Sequence, residues 1–176
     1  MRIPKSLAVV GAVVAVAVFL VLTSCGGGEK AANERAEAGI EKVMKATTGK
    51  DADVEIEGKS VKIKGEGFSH DMSETSQWPA DMFPGVPEFT FGKIERVSKG
   101  EEGGMMKFNI FLRDMEPGGV EKYVAVLKRA GWRADITAMG GKGGLVAGQK
   151  GDLGMNFMYS TERGDGMLAV FSGMDE

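Results

Sequence analysis

Cys25 and His70 are the only cysteine and the only histidine of the 176-residue chain, and together they limit the chemistry open to it. One histidine supplies neither a histidine-based triad nor a multi-histidine metal site. Asp71 and Glu74 stand close enough in SHDMSE to orient its ring, yet so polar a run reads first as a solvated loop. Methionine offers a second chemistry, because thioether sulfur suits Cu(I), and Met72 and Met82 flank the histidine. Met155 and Met158 differ in strand parity, however, and Met105 and Met106 point to opposite faces, so methionine as core filler is the stronger reading. Neither a metal site nor a cofactor is expected.

Two further tracts look like motifs and lack the context that would make them so. MGGKGGLVAG, residues 139–148, resembles a phosphate cradle, but Gly143 follows Lys142 where Ser or Thr is needed, and a strand follows instead of a helix. It reads as a loose turn. Arg163-Gly164-Asp165 is placed as a hairpin tip, and Glu101-Glu102 and Asp175-Glu176 as solubilising loop and tail pairs. No convergent polar cluster can be assembled, so a non-enzymatic protein is expected. WPADMFPGVPEFTF, residues 78–91, is more informative: it sets Trp78, Phe83, Phe89 and Phe91 among three prolines, a stiff frame for aromatic anchors. Exposed, these rings would bind a protein partner or an apolar ligand. Turned inward, they would seal the sheet.

The elements that must position these residues read as α+β. Asn33 can cap a helix over residues 33–49 whose apolar positions Ala36, Ile40, Val43, Met44 and Thr47 follow the 3.6 period, with Gly49 as its stop. DVEIEGKSVKIKG is a hairpin turning at Gly58-Lys59. Residues 66–90 break the pattern; strands resume over 91–97 and 105–113, the second with Met106, Phe108, Ile110 and Leu112 on one face. Pro117 opens a second helix with the stripe Val120, Tyr123, Val124, Leu127 and Ala130, and Gly131 is its left-handed terminator, onto which Trp132 folds back. Four strands follow, over 132–138, 144–149, 155–160 and 167–172, joined by glycine-bearing turns. The expected architecture is a mainly antiparallel sheet of hairpin, two strands, helix and four-strand meander, with that helix on one face and an N-terminal helix before it.

The N-terminus has its own layout: Arg2 and Lys5, then an uncharged run from Ser6 to Thr23, then small residues. The apolar core from Leu7 to Leu22 falls short of the roughly 20 residues that span a bilayer. A secretory leader is therefore favoured over a permanent membrane helix. Leu22-Thr23-Ser24-Cys25 resembles the lipobox of bacterial lipoproteins. That resemblance implies diacylglyceryl transfer to the Cys25 thiol and cleavage between Ser24 and Cys25 by signal peptidase II, with the acyl chains as the membrane link. An ordinary secretory leader holding an incidental cysteine is the alternative. Glycines 26–28 lead into a flexible tether over 25–32. Gly26, standing where aspartate would imply inner-membrane retention, implies the outer membrane if the cell has two.

Loss of residues 1–24 takes the basic count from 22 to 20 against 25 acidic residues, a net of −5. That balance argues against nucleic acid and against electrostatic docking on anionic lipid. With no second cysteine there is no intramolecular disulfide, and the 152 remaining residues must be held by a core. One α+β domain over 50–176 is expected.

Trp78-Pro79, Pro87-x-Phe89-x-x-Gly92-x-Ile94 and Tyr123-x-x-x-Leu127-x-x-Ala130-Gly131-Trp132 resemble a group of uncharacterised bacterial secreted and lipoprotein domains, over about residues 50–173. The resemblance implies a fold and brings no functional residues with it. The sequence thus leads to an extracytoplasmic, lipid-anchored binding or accessory module, with an envelope protein as partner; a carrier or sensor of an apolar ligand is the alternative.

Overall fold

The computed structural model describes residues 29–173, so Ser24, Cys25 and glycines 26–28 lie outside the described residues. In chain order the elements are α1 (Glu29–Thr48), β1 (Ala52–Glu57), β2 (Ser60–Gly65), β3 (Phe68–Ser73), β4 (Lys93–Glu102), β5 (Met105–Arg113), α2 (Gly119–Arg129), β6 (Arg133–Ala138), β7 (Gly143–Lys150), β8 (Leu153–Ser160) and β9 (Asp165–Phe171). The fold is α+β, dominated by antiparallel sheet. Two compact units divide between Asp71 and Met72, inside the span read from sequence as one domain.

In the first unit the β1–β2 hairpin pairs Val54 with Ile63 and Ile56 with Val61, turning at Gly58 with φ 55°. Val54, Ile56 and Ile63 are buried, as are Ile40 and Met44 of α1, which packs on β1. The helix starts at Glu29, so residues 29–32 are helical and not tether, and Asn33 lies inside the helix instead of capping it. The reason is tertiary. Asn33 Nδ2 donates to the Ile56 carbonyl at 3.2 Å, the Ile56 N–H donates to Glu37 Oε1 at 2.7 Å, and the Val54 N–H donates to Glu41 Oε1 at 3.2 Å. Residues 33, 37 and 41 share one side of a helix, and here they form a side-chain ladder that satisfies backbone groups of β1. A strand edge left bare is a template for unwanted pairing; this ladder occupies it.

The second unit is a sheet in the order β4-β5-β9-β8-β7-β6, antiparallel throughout. After β5 the chain crosses through α2 to the far strand, β6, and returns strand by strand until β9 pairs with β5. Phe108, Ile110 and Leu112 of β5, Val146 of β7, Met155 and Phe157 of β8, and Leu168 and Val170 of β9 all point to the face that α2 covers with Val120, Tyr123, Val124 and Leu127. The helix begins at Gly119, two residues after Pro117, because Gly118 takes φ 70° and closes a turn in which the Gly119 N–H reaches the Glu116 carbonyl. It ends as read. Gly131 has φ 85°, its N–H donates to Lys128, and the Trp132 N–H donates to Leu127, the paired bonds of a Schellman motif.

Two features were not legible in the chain. β3 occupies Phe68–Ser73, within the stretch read as broken, because its alternation sets Phe68 and Met72 among serines, a histidine and an acid. β4 runs on to Glu102 where the sequence reading stopped at Val97, and it carries an irregularity between Ile94 and Arg96. Ile94 and Val97, three apart, both need the core face. A bulge at Glu95 reconciles them with a period of two, and it sets Arg96 opposite Phe111.

Candidate functional site

The loop singled out from sequence is turned inward. Phe89 is 2% exposed and sits edge-on to Tyr123 at 5.1 Å, Phe157 at 5.3 Å and Phe91 at 5.8 Å between ring centroids. Phe83 meets Phe108 edge-on at 5.3 Å, and Trp78 and Phe83 are half-buried against the same core. The loop backbone is pinned as well: the Trp132 indole donates to the Gly85 carbonyl and the Tyr123 hydroxyl to the Pro87 carbonyl, each at 2.9 Å. Phe89 is therefore withdrawn from any partner, and the proline frame holds the rings in the core. Gly92 is closely packed beside it, where an added Cβ would stand 3.1 Å from Met115 Cγ and 3.2 Å from the Arg113 carbonyl oxygen.

The other candidates fall apart in space. His70 lies in β3 and is half-buried, in a strand instead of a solvated loop. Met155 is buried while Met158 is exposed, and Met105 is exposed while Met106 packs on the core. Met72 accepts a contact from Arg96 Nη1 at 3.8 Å, and Met82 packs on the core. Among the described residues no group of three or more His, Cys, Asp or Glu is placed to share a metal ion. Gly140 and Gly141 take φ 67° and 74° in the turn before β7, where Lys142 pairs with Glu162 at 3.2 Å. Arg163 and Asp165 close on each other at 2.9 Å, so that tripeptide is internally paired.

What the strand register brings together lies on the sheet face opposite α2. Leu145 pairs with Met158, Met158 with Met167, Met167 with Phe111, and Phe111 with Arg96, whose guanidinium carbon stands 5.4 Å from the Phe111 ring centroid. This is one continuous cross-strand row. An open cleft of about 490 Å³ adjoins it, lined by Phe111, Met158, Met167 and Met139, with Lys142 and Arg163 among its charged residues. Met158 and Met139 are the most exposed large apolar side chains described, at 53% and 63%. The Tyr159 ring, by contrast, turns to the core side, 5.9 Å from the Phe157 ring between centroids, and its phenol is pushed up from its ordinary value by desolvation, with the charge of Glu121 adding to it.

The sequence held one signal for this row. Phe111, Met158 and Met167 each break the polar-outward alternation of their strands, since Asn109 and Asn156 sit at neighbouring outward places. What the alternation cannot tell is which strands are neighbours, and the row exists only because β9 inserts between β5 and β8.

The cleft can hold an apolar surface. Of its acids, Asp165 is engaged by Arg163, and none stands with a histidine or a second free carboxylate in an arrangement suited to proton transfer. The space between sheet and α2 is filled by Phe89, Tyr123, Leu127 and Phe157, each at most 2% exposed. Among the described residues no helix is long and apolar enough to cross a membrane. Comparison of the chain with protein-family models, with curated proteins and with solved structures gives no match.

Proposed function

We propose that this chain is a lipid-anchored protein of the extracytoplasmic cell envelope that works as a non-enzymatic binding or accessory module. The anchor is the Cys25 thiol after cleavage at Ser24, and the acyl chains carry the membrane link. The scaffold is an N-terminal helix and hairpin, then a strand pair, α2 and a four-strand meander. The observation that carries the binding reading is the row Leu145, Met158, Met167 and Phe111 on the sheet face that α2 leaves uncovered. Large apolar side chains grouped on a surface mark interaction sites. A shallow, open face suits an envelope protein better than a small molecule, which is ordinarily enclosed over most of its surface. An apolar ligand would have to use this same face, because the interior behind α2 is filled.

A photo-reactive residue at position 158 of the lipidated chain, irradiated in native membranes, tests the reading. It predicts one dominant cross-linked envelope protein that is lost in Met167→Glu while the unfolding midpoint holds. Cross-linking only to lipid would favour the apolar-ligand alternative, and cross-linking that survives Met167→Glu would sink the site.

A further inference from the structure

The net charge of the chain conceals how charge is distributed on α1. Two of the helix's acids, Glu37 and Glu41, are turned to β1 and accept its backbone N–H groups. Lys30, Arg35, Lys42 and Lys45 are exposed, with Glu34 the exposed acid among the side chains described. Lys45 meets Asp51 at 2.6 Å. Arg35 and Lys42, seven residues apart, fall on one side of the helix, away from the Asn33, Glu37 and Glu41 ladder. The exposed Val43 lies beyond them. The helix is thus acidic toward its own strand and basic toward solvent.

Its distance from the anchor is fixed by chain length. Cys25 and Glu29 are four Cα steps apart, so at most about 14 Å separates the acylated residue from the start of α1. Twenty residues of helix run on for about 30 Å from that point. The first element after the anchor therefore begins within reach of the headgroups.

We propose that the solvent face of α1, centred on Arg35 and Lys42, lies on anionic phospholipid headgroups as a second membrane contact beside the acyl chains. The proposal rests on the Cys25 anchor. It gives a reason for the placement of Glu37 and Glu41: acids on the outward side would oppose the contact, whereas on the strand side they close the β1 edge. The two chains of the diacylglyceryl group suffice for attachment; the basic face would set how the helix lies on the surface, each cation near an anionic surface being worth roughly a fivefold gain.

The test uses the full lipidated chain reconstituted on vesicles of phosphatidylcholine alone and of phosphatidylcholine with phosphatidylglycerol. The readout is the rate at which a water-soluble amine reagent labels Lys42. Labelling should slow severalfold on the anionic vesicles only, recover at high salt as screening shortens the field, and recover at low salt in Arg35→Glu, whose substitution is exposed and lies on the side of the helix away from the ladder. Equal rates on both vesicles, with the chain floating alongside them, would overturn the proposal and leave the anchor standing. A chain that fails to float with either vesicle would remove the anchor and the proposal together.

Discussion

Glu37→Ala isolates the ladder between α1 and β1. The substitution removes the acceptor of the shortest contact in it, the Ile56 N–H to Glu37 Oε1 bond of 2.7 Å, and leaves the helix otherwise intact because alanine is the best helix former. A hydrogen bond to a charged group contributes about 1.5–3 kcal/mol when buried. Glu37 is half-exposed, so water takes up part of that value, and about 1–2 kcal/mol is expected after discounting for solvent. Native-state amide exchange reads this locally: the Ile56 amide should exchange roughly 5–30 times faster in the variant, with a smaller effect at Val54, whose acceptor Glu41 remains. Ile63 lies across the hairpin, opposite Val54, and should change little. Unchanged exchange at Ile56 would mean that the carboxylate does not cap the strand, and the charge segregation of α1 would lose its structural cause.

Three further expectations follow from the second unit. Phe89→Ala should cost about 3–5 kcal/mol in denaturant unfolding, the usual toll for a buried aromatic, because the ring contacts Phe91, Tyr123 and Phe157; a near-neutral variant would return Phe89 to the surface. Gly166→Ala should cost about 1–3 kcal/mol by overpacking, since its Cβ would stand 2.7 Å from Phe157 Cε2 and 2.9 Å from the Met158 carbonyl oxygen, and a neutral result would refute that close approach. Burial pushes the Tyr123 phenol far above its ordinary value. Its contribution to stability is complete below the unfolded tyrosine pKa near 10 and is lost as pH rises from there toward the folded value. Ultraviolet titration should show one tyrosine ionising only with unfolding, and two tyrosines titrating freely in the folded chain would contradict the burial.

Local signals carried much of the architecture. The α2 stripe, the Gly131 terminator and the span of β5 are fixed by residues close in sequence, so the periodicity and the glycine announce them. β3 was hidden because Ser69, His70 and Asp71 lack the composition of a strand. The start of α1 was hidden for a related reason. Asn33 has the type of a cap, and only the distant Ile56 carbonyl explains its place inside the helix. The site was the least legible. Aromatics among prolines read equally well as an exposed anchor or a core seal, and the choice turns on Tyr123 and Trp132, which reach the loop from 36 and 47 residues away. The Met158, Met167 and Phe111 row depends on the order of strands, which no local pattern encodes.

The most direct test of the account is the mass of the mature N-terminal peptide from the membrane fraction, for the native chain and for Cys25→Ala. The native peptide should begin at Cys25 and carry acyl mass, and the variant should stay unprocessed. A native peptide that starts elsewhere without lipid would contradict the anchor, and with it the envelope location and the membrane contact of α1.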